Sequence, residues 1–287
     1  MARRPRILLF GLILAAALAT ALLAARHLGG PRASAHYAFG HGPTIVLVHG
    51  LGSRSGHWLP VARRLARHHH VELVDLPGHG DSGMPVPFSL DRAELALDRA
   101  LAEISREPVI LVGHSLGGLV AAAEAIDHPG RVKGLVLVET ALRPQVDPAQ
   151  RAAMLTALDG DYASVLRSAY QSFGRDSAQG LELYEEVRRL DSTMVKPWIR
   201  LALTVDLSRE AEGLKMPVLA VLADRSWGAG EPWPAVAEAL GYARIPGLRP
   251  VRMQGCGHFV MLDKPDDLAG EIEWFADRQD GMNLALR

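Results

Sequence analysis

The chain has 287 residues, 48% of them hydrophobic, and carries a formal net charge of −1 at pH 7. This length fits one α/β domain with an insertion, and the balanced charge excludes nucleic acid as a partner because no basic excess is available to neutralise phosphates. The single cysteine, Cys256, excludes an intrachain disulfide framework and a cysteine-rich metal site.

The N-terminus carries a strong hydropathy signal. Arg3, Arg4 and Arg6 precede an uncharged apolar run at 7–25. The run is long enough to span a bilayer as a helix, and the arginines before it predict that the remainder of the chain lies outside the cytoplasm. Residues 1–27 are therefore predicted to be a signal-anchor in the membrane, or alternatively a signal peptide that is cleaved from a secreted protein. Either prediction gives the globular part a periplasmic or extracellular location.

After a glycine- and proline-rich linker at 28–43, which holds one short edge strand at 35–39, apolar runs alternate with helical patterns. Strands are predicted at 44–48, 71–74, 109–112 and 132–138, separated by helices at 57–67, 89–106 and 116–127. Continuous apolar runs of this length are typical of strands that are buried on both faces of a parallel sheet. The predicted fold class is α/β, with a mostly parallel, doubly wound sheet.

Between 141 and 213 the alternation stops, and only helical patterns are present, at 148–158, 161–173, 178–190 and 194–207. Strands resume at 217–223 and 251–254, with helices at 234–240 and 265–277. The core is therefore predicted at 44–140 and 214–287, with 141–213 inserted as a helical lid. Because ligand sites in open α/β sheets lie at the carboxyl ends of the strands, this lid is predicted to line a substrate pocket.

The strand at 109–112 leads into Gly113-His114-Ser115-Leu116-Gly117, and a helical pattern follows directly. Only a few residues reverse the chain, so Ser115 is predicted to occupy a strained turn with its hydroxyl held clear of the sheet. A Cβ atom at Gly113 or Gly117 would collide with neighbouring backbone. The Leu116 N–H, at the start of the helix, is predicted to face the oxygen of a bound carbonyl. These features make Ser115 the candidate nucleophile.

This segment resembles the nucleophile elbow of the α/β-hydrolase superfamily, and the resemblance covers nearly all of the chain after residue 35. It implies that His258, which follows the last strand, is the general base that accepts the Ser115 proton. It also implies that the backbone N–H of Leu51, in His49-Gly50-Leu51-Gly52, joins that of Leu116 in the oxyanion hole.

The triad acid departs from the usual pattern of the superfamily. Its usual position, beyond the strand after the lid, is held by Ser226, and Asp224 comes two residues too early. A second position known in the superfamily, directly after the strand that follows the elbow helix, is held by Glu139, in a run that resembles haloalkane dehalogenases. A carboxylate on either loop could orient His258 and stabilise the imidazolium. Glu139 is the preferred acid, and Asp224 is the alternative.

The sequence therefore predicts a serine hydrolase that cleaves a small-molecule carboxylic ester through an acyl-enzyme. Thioesters, lactones, amides and C–C bonds of diketones use the same machinery, and a dehalogenase is excluded because it needs a carboxylate in place of Ser115. No cofactor or metal is expected, since the sequence has neither a dinucleotide GxGxxG nor a P-loop motif. One alternative is an acyltransferase. Another is a non-catalytic ligand-binding relative, suggested by the displaced acid.

Overall fold

The computed structural model describes residues 36–80 and 82–285, except for the side chains at 280 and 282–285. Within these residues seven strands form one sheet in the order β1-β3-β2-β4-β5-β6-β7. Their bounds are β1 His36–Phe39, β2 Thr44–Val48, β3 His70–Val74, β4 Val109–His114, β5 Val132–Val138, β6 Val218–Ala223 and β7 Arg249–Met253. Neighbouring strands are parallel except for the antiparallel pair β1 and β3. The predicted fold class is confirmed.

The helices that cover the sheet explain why its central strands read as unbroken apolar runs. Every residue of β4 and β6 is buried, which requires cover on both faces. The core helices are α1 Leu59–Leu65, α2 Leu90–Ile104, α3 Leu116–Asp127, α8 Trp233–Leu240, α9 Val260–Asp263 and α10 Pro265–Ala285. Helix α1 packs against α10, and α2 packs against α3.

Four further helices lie between β5 and β6, where the sequence predicts only helical segments. They are α4 Pro148–Gly160, α5 Tyr162–Phe173, α6 Ser177–Val187 and α7 Ser192–Thr204. Each begins after an aspartate whose side chain accepts a hydrogen bond from a backbone N–H of the first turn; these caps are Asp147, Asp161, Asp176 and Asp191. Such a cap contributes about 1 kcal/mol and fixes where a helix starts. Residues 141–213 are called the helical insertion below.

Strand β4 is two residues longer than the sequence predicts. Gly113 and His114 pair with Leu137 and Val138 of β5, so the sheet continues up to the residue before Ser115. The longer strand leaves Ser115 alone to make the turn into α3.

The structure corrects the prediction of a membrane-anchored protein whose catalytic part lies outside the cytoplasm. Across residues 36–80 and 82–285, no helix combines the length and the apolar character needed to cross a bilayer. The predicted span at 7–25, and the alternative signal peptide, lie outside the described residues. Membrane attachment and a periplasmic or extracellular location are therefore unsupported.

Candidate active site

Ser115 lies between the last residue of β4 and the first residue of α3. Its backbone has φ = 52° and ψ = −122°, in a region that residues with a side chain seldom adopt and that is strained for serine. Its N–H donates to the Val138 carbonyl oxygen at 2.9 Å, which ties the turn to β5. The predicted strained turn is therefore present.

Two glycines make this tight turn possible. A Cβ on Gly117 would meet the backbone oxygens of His49 and Val48, and a Cβ on Gly113 would meet the backbone of Gly117 and Gly118. No side chain can shift to relieve these clashes, because the obstructing atoms are backbone. The predicted close approach at both glycines is confirmed.

His258 lies in the loop between β7 and α9, and its side chain is 10% exposed. Its Nδ1–H donates to Oε2 of Glu139 at 3.0 Å, and its backbone carbonyl accepts a hydrogen bond from His114 Nε2 at 2.9 Å. Burial lowers the pKa of His258 below its ordinary value, and the Glu139 carboxylate offsets part of this effect. A histidine with a lowered pKa is mostly neutral at pH 7.

Glu139 directly follows β5 and also has a left-handed backbone, with φ = 48°. Its side chain is fully buried. Oε1 accepts from the Ala223 N–H at 2.6 Å, and Oε2 accepts from the Ser226 hydroxyl at 3.0 Å as well as from His258. Three hydrogen bonds fix the position of this carboxylate.

Asp224 is not beside His258. Its Oδ1 pairs with the Arg252 guanidinium at 2.5 Å, and its Oδ2 accepts from the Gly255 N–H at 2.7 Å. These contacts brace the turn after β7. Of the two candidate acids, the structure brings Glu139 to the imidazole and leaves Asp224 on a neighbouring turn.

The amides of Leu51 and Leu116 are suited to bind an oxyanion. Leu116 is the first residue of α3, and Leu51 lies in the turn after β2. Neither N–H donates to another residue in the described part of the chain. Free N–H groups at a helix start and in an adjacent turn are what a developing negative charge requires.

The sequence gives no sign of three residues that hold this site together. Tyr170 of α5 donates to the Leu51 carbonyl oxygen at 2.7 Å. Phe173 accepts a hydrogen bond from the His258 N–H at 2.8 Å through its carbonyl oxygen. The buried Asp263 carboxylate joins the Gly257 N–H to side chains of the helical insertion. Periodicity alone could not identify them, because it predicts helices but not the contacts between them.

Two cavities meet at Ser115 and His258. The first, called the apolar chamber, has a volume of about 560 Å³ and runs beneath the helical insertion; its lining includes Val165, Leu166, Ala169, Ile199 and Leu203. The second, called the arginine chamber, has a volume of about 570 Å³ and is lined by Glu139, Arg143, Arg225 and Ser226 among others. Phe173 lines both chambers.

One cluster in the described residues has donors close enough to hold a metal ion, but it is not part of these chambers. Ligand atoms of Glu94, Glu124 and His128 lie within 4.8 Å of one another. His128 Nδ1 is 3.2 Å from an oxygen of each carboxylate. None of the three residues lines the chambers at Ser115.

The parallel sheet and the strand–serine–helix turn define an α/β hydrolase. The chain belongs to the Alpha/beta hydrolase family, whose model matches residues 45–271. It is 32% identical over 235 residues to a pimeloyl-acyl-carrier-protein methyl ester esterase of Pseudoalteromonas atlantica, a match that covers 75% of this chain and 81% of the relative. The enzyme of the same name from Xanthomonas oryzae pv. oryzae is 30% identical over 260 residues, covering 82% and 96%.

The fold is also similar to that of a solved esterase from Exiguobacterium antarcticum. The TM-score is 0.72 over 85% of this chain and 95% of that chain, at 18% sequence identity. At this identity the similarity concerns the fold alone.

Proposed function

We propose that the protein is a serine esterase that uses Ser115, His258 and Glu139 as its catalytic triad. The observation that carries this proposal is the hydrogen bond of 3.0 Å between His258 and the buried Glu139, at the base of chambers that Ser115 and His258 both line. A neutral imidazole whose Nδ1–H is held by a carboxylate presents Nε2 as the proton acceptor.

In the proposed reaction, Ser115 Oγ attacks the ester carbonyl carbon while His258 Nε2 takes the hydroxyl proton. The carbonyl oxygen becomes an oxyanion that accepts hydrogen bonds from the Leu51 and Leu116 amides. His258 then gives its proton to the leaving alcohol, and the acyl group remains on Ser115. Water activated by His258 releases the carboxylic acid and restores the serine. Glu139 keeps its negative charge and stabilises the imidazolium in both steps.

The proposed substrates are carboxylic esters with an aliphatic part. Methyl ester hydrolysis by the curated relatives supports an ester as the substrate. The apolar chamber suits an alkyl chain, because burying each methylene group contributes about 0.8 kcal/mol. In this proposal the helical insertion acts as the lid that covers the chain and excludes water from it.

The direct test is hydrolysis of p-nitrophenyl acetate and butyrate by the full chain, with labelling by a fluorophosphonate probe in parallel. We expect turnover of both esters and stoichiometric labelling of one serine, identified by peptide mass spectrometry as Ser115. Labelling without turnover would show that the serine is active on a narrower substrate range. Folded protein with neither turnover nor labelling would refute the proposed function.

The pH dependence of kcat/KM is predicted from the lowered pKa of His258. The imidazole must be neutral to accept the serine proton, so activity falls as the pH drops through the pKa of His258 in the folded protein. Because burial sets that pKa below 6.5, activity should already be at its plateau at pH 7 and lose half its value only below pH 6.5. The measurement is kcat/KM for p-nitrophenyl butyrate from about pH 4.5 to 8.5.

The Glu139→Gln variant provides the control for this profile. Loss of the carboxylate removes the interaction that raises the pKa of His258, so the acid limb of its residual activity should move to lower pH. An acid limb centred above pH 6.5 in the wild type would contradict the lowered pKa of His258. An acid limb that Glu139→Gln leaves at the same pH would contradict its assignment to His258.

A further inference from the structure

Arg225 is held over the arginine chamber by an aromatic stack that begins at His258. The His258 and Phe173 ring centroids are 4.6 Å apart, and the Arg225 guanidinium carbon lies 4.7 Å from the Phe173 centroid. Stacking covers one face of a guanidinium but leaves its N–H groups free to donate in the plane. The stack therefore fixes a cation at the chamber wall with its donors available.

No residue in the described part of the chain accepts a hydrogen bond from Arg225 or forms an ion pair with it. Asp224 precedes Arg225 in the sequence, but its Oδ1 forms an ion pair with the Arg252 guanidinium at 2.5 Å. Glu139 is near enough for an electrostatic attraction to Arg225. Its two oxygens, however, already accept hydrogen bonds from Ala223, Ser226 and His258.

The other arginine of the chamber makes a useful contrast. Arg143 lies 3.9 Å from an oxygen of Asp206 and 3.5 Å from one of Glu238, so its charge is partly neutralised by the protein itself. Arg225 is exposed as a whole, and an arginine remains protonated at the pH of any assay. A stacked guanidinium that forms no ion pair among the described residues, at a chamber that Ser115 also lines, is suited to bind an anion of the substrate.

We propose that Arg225 binds a carboxylate or phosphate group of the substrate, so that the protein hydrolyses anionic esters whose alkyl part occupies the apolar chamber. This inference rests on the proposed esterase function and adds the substrate class. Ser115 lies where the two chambers meet, so the ester carbonyl binds between the alkyl part and the anionic group. The guanidinium supplies charge-assisted hydrogen bonds to the anion and takes no part in the transfer of protons.

The test compares esters that are matched in size and differ in charge. One pair is 4-(hexanoyloxy)butanoate and its neutral amide, which carry the variable group on the alcohol side. The other is monomethyl adipate and methyl adipamate, which carry it on the acyl side. We expect the wild type to prefer the anionic member of at least one pair in kcat/KM, and Arg225→Gln to reduce that preference by about 10- to 100-fold, the typical effect of losing a charged hydrogen bond.

Two matched variants define the control. Arg225→Lys retains the charge without the planar fork and should keep part of the preference. Arg244→Gln removes an exposed cation that pairs with Glu212 and lines neither chamber, so it should leave the ratio of anionic to neutral turnover unchanged. In the pair for which the wild type prefers the anionic ester, the carboxylate is then replaced by a phosphate. Comparing kcat/KM for the two anionic esters shows which anion Arg225 favours.

The wild type alone supplies a further measurement, which keeps the proposal testable if a variant fails to fold. Added salt should reduce the preference for the anionic ester, because mobile ions screen a charge at an open chamber. A wild type with no preference in either pair, or a preference that Arg225→Gln leaves intact, would overturn the proposal. Hydrolysis of the neutral esters would still support the esterase function, so the two failures are distinguishable.

Discussion

Ser115→Ala is expected to reduce ester hydrolysis by about 10⁴-fold or more, the scale seen when the nucleophile of a serine hydrolase is removed. Without Oγ no acyl-enzyme can form, and His258 has no hydroxyl from which to take a proton. The measurement is kcat/KM for p-nitrophenyl butyrate, together with fluorophosphonate labelling of the same preparation. Labelling should be abolished along with turnover.

The matched control is Ser105→Ala. Ser105 follows α2, and its hydroxyl donates to the Glu107 carbonyl oxygen. It lines neither chamber, so this variant removes a serine hydroxyl that is not part of the proposed site. The fluorophosphonate probe should label this variant as it labels the wild type, and its kcat/KM for p-nitrophenyl butyrate should be unchanged. Equal turnover by Ser115→Ala and the wild type would refute the nucleophile, provided that both melt at similar temperatures.

Glu139→Gln is expected to lower kcat by about 10³- to 10⁴-fold, as the corresponding amide does in other triads. Glutamine has the shape of glutamate but no charge to stabilise the imidazolium. Its amide nitrogen would face either His258 Nδ1 and the Ser226 hydroxyl, at the position of Oε2, or the Ala223 N–H, at the position of Oε1. The measurement is kcat for p-nitrophenyl butyrate at pH 8, where His258 is neutral in both proteins.

Asp224→Asn is the control for this experiment. It weakens the ion pair with Arg252 but makes no contact with His258, so its kcat should fall by less than about tenfold. A larger loss in Asp224→Asn than in Glu139→Gln would transfer the acid role to Asp224.

Ser226 gives a second way to examine the acid. Its hydroxyl already touches Glu139 Oε2 at 3.0 Å, so an aspartate there would bring a carboxylate to the side of the imidazole that Glu139 occupies. The double variant Glu139→Ala/Ser226→Asp should recover at least about tenfold over Glu139→Ala, because a replaced carboxylate restores the charge beside His258. No recovery in a folded double variant would mean that a carboxylate at 226 cannot replace Glu139.

Local sequence determines the elbow and the strands around it. Gly113 and Gly117 identify the turn because atoms a few residues away, or on the adjacent strand, leave no room for a side chain. The apolar runs at 44–48, 109–112 and 132–138 predict buried strands, because a strand covered on both faces of a sheet places every one of its side chains in an apolar environment. Hydropathy at the N-terminus was less reliable, since the membrane anchor and the location outside the cytoplasm that it predicted received no support from the described residues.

The sequence by itself therefore determined the fold class, the turn that carries Ser115 and the loop that carries His258. Only the tertiary structure decided which carboxylate lies beside His258, because Glu139 is 119 residues away from it along the chain and two loops offered an acid. The contacts of Phe173, Tyr170 and Arg225 were likewise decided by how the helical insertion packs over the strand ends. Periodicity assigns a residue to a helix or a strand, but the distance between side chains from different elements depends on packing that no local pattern encodes.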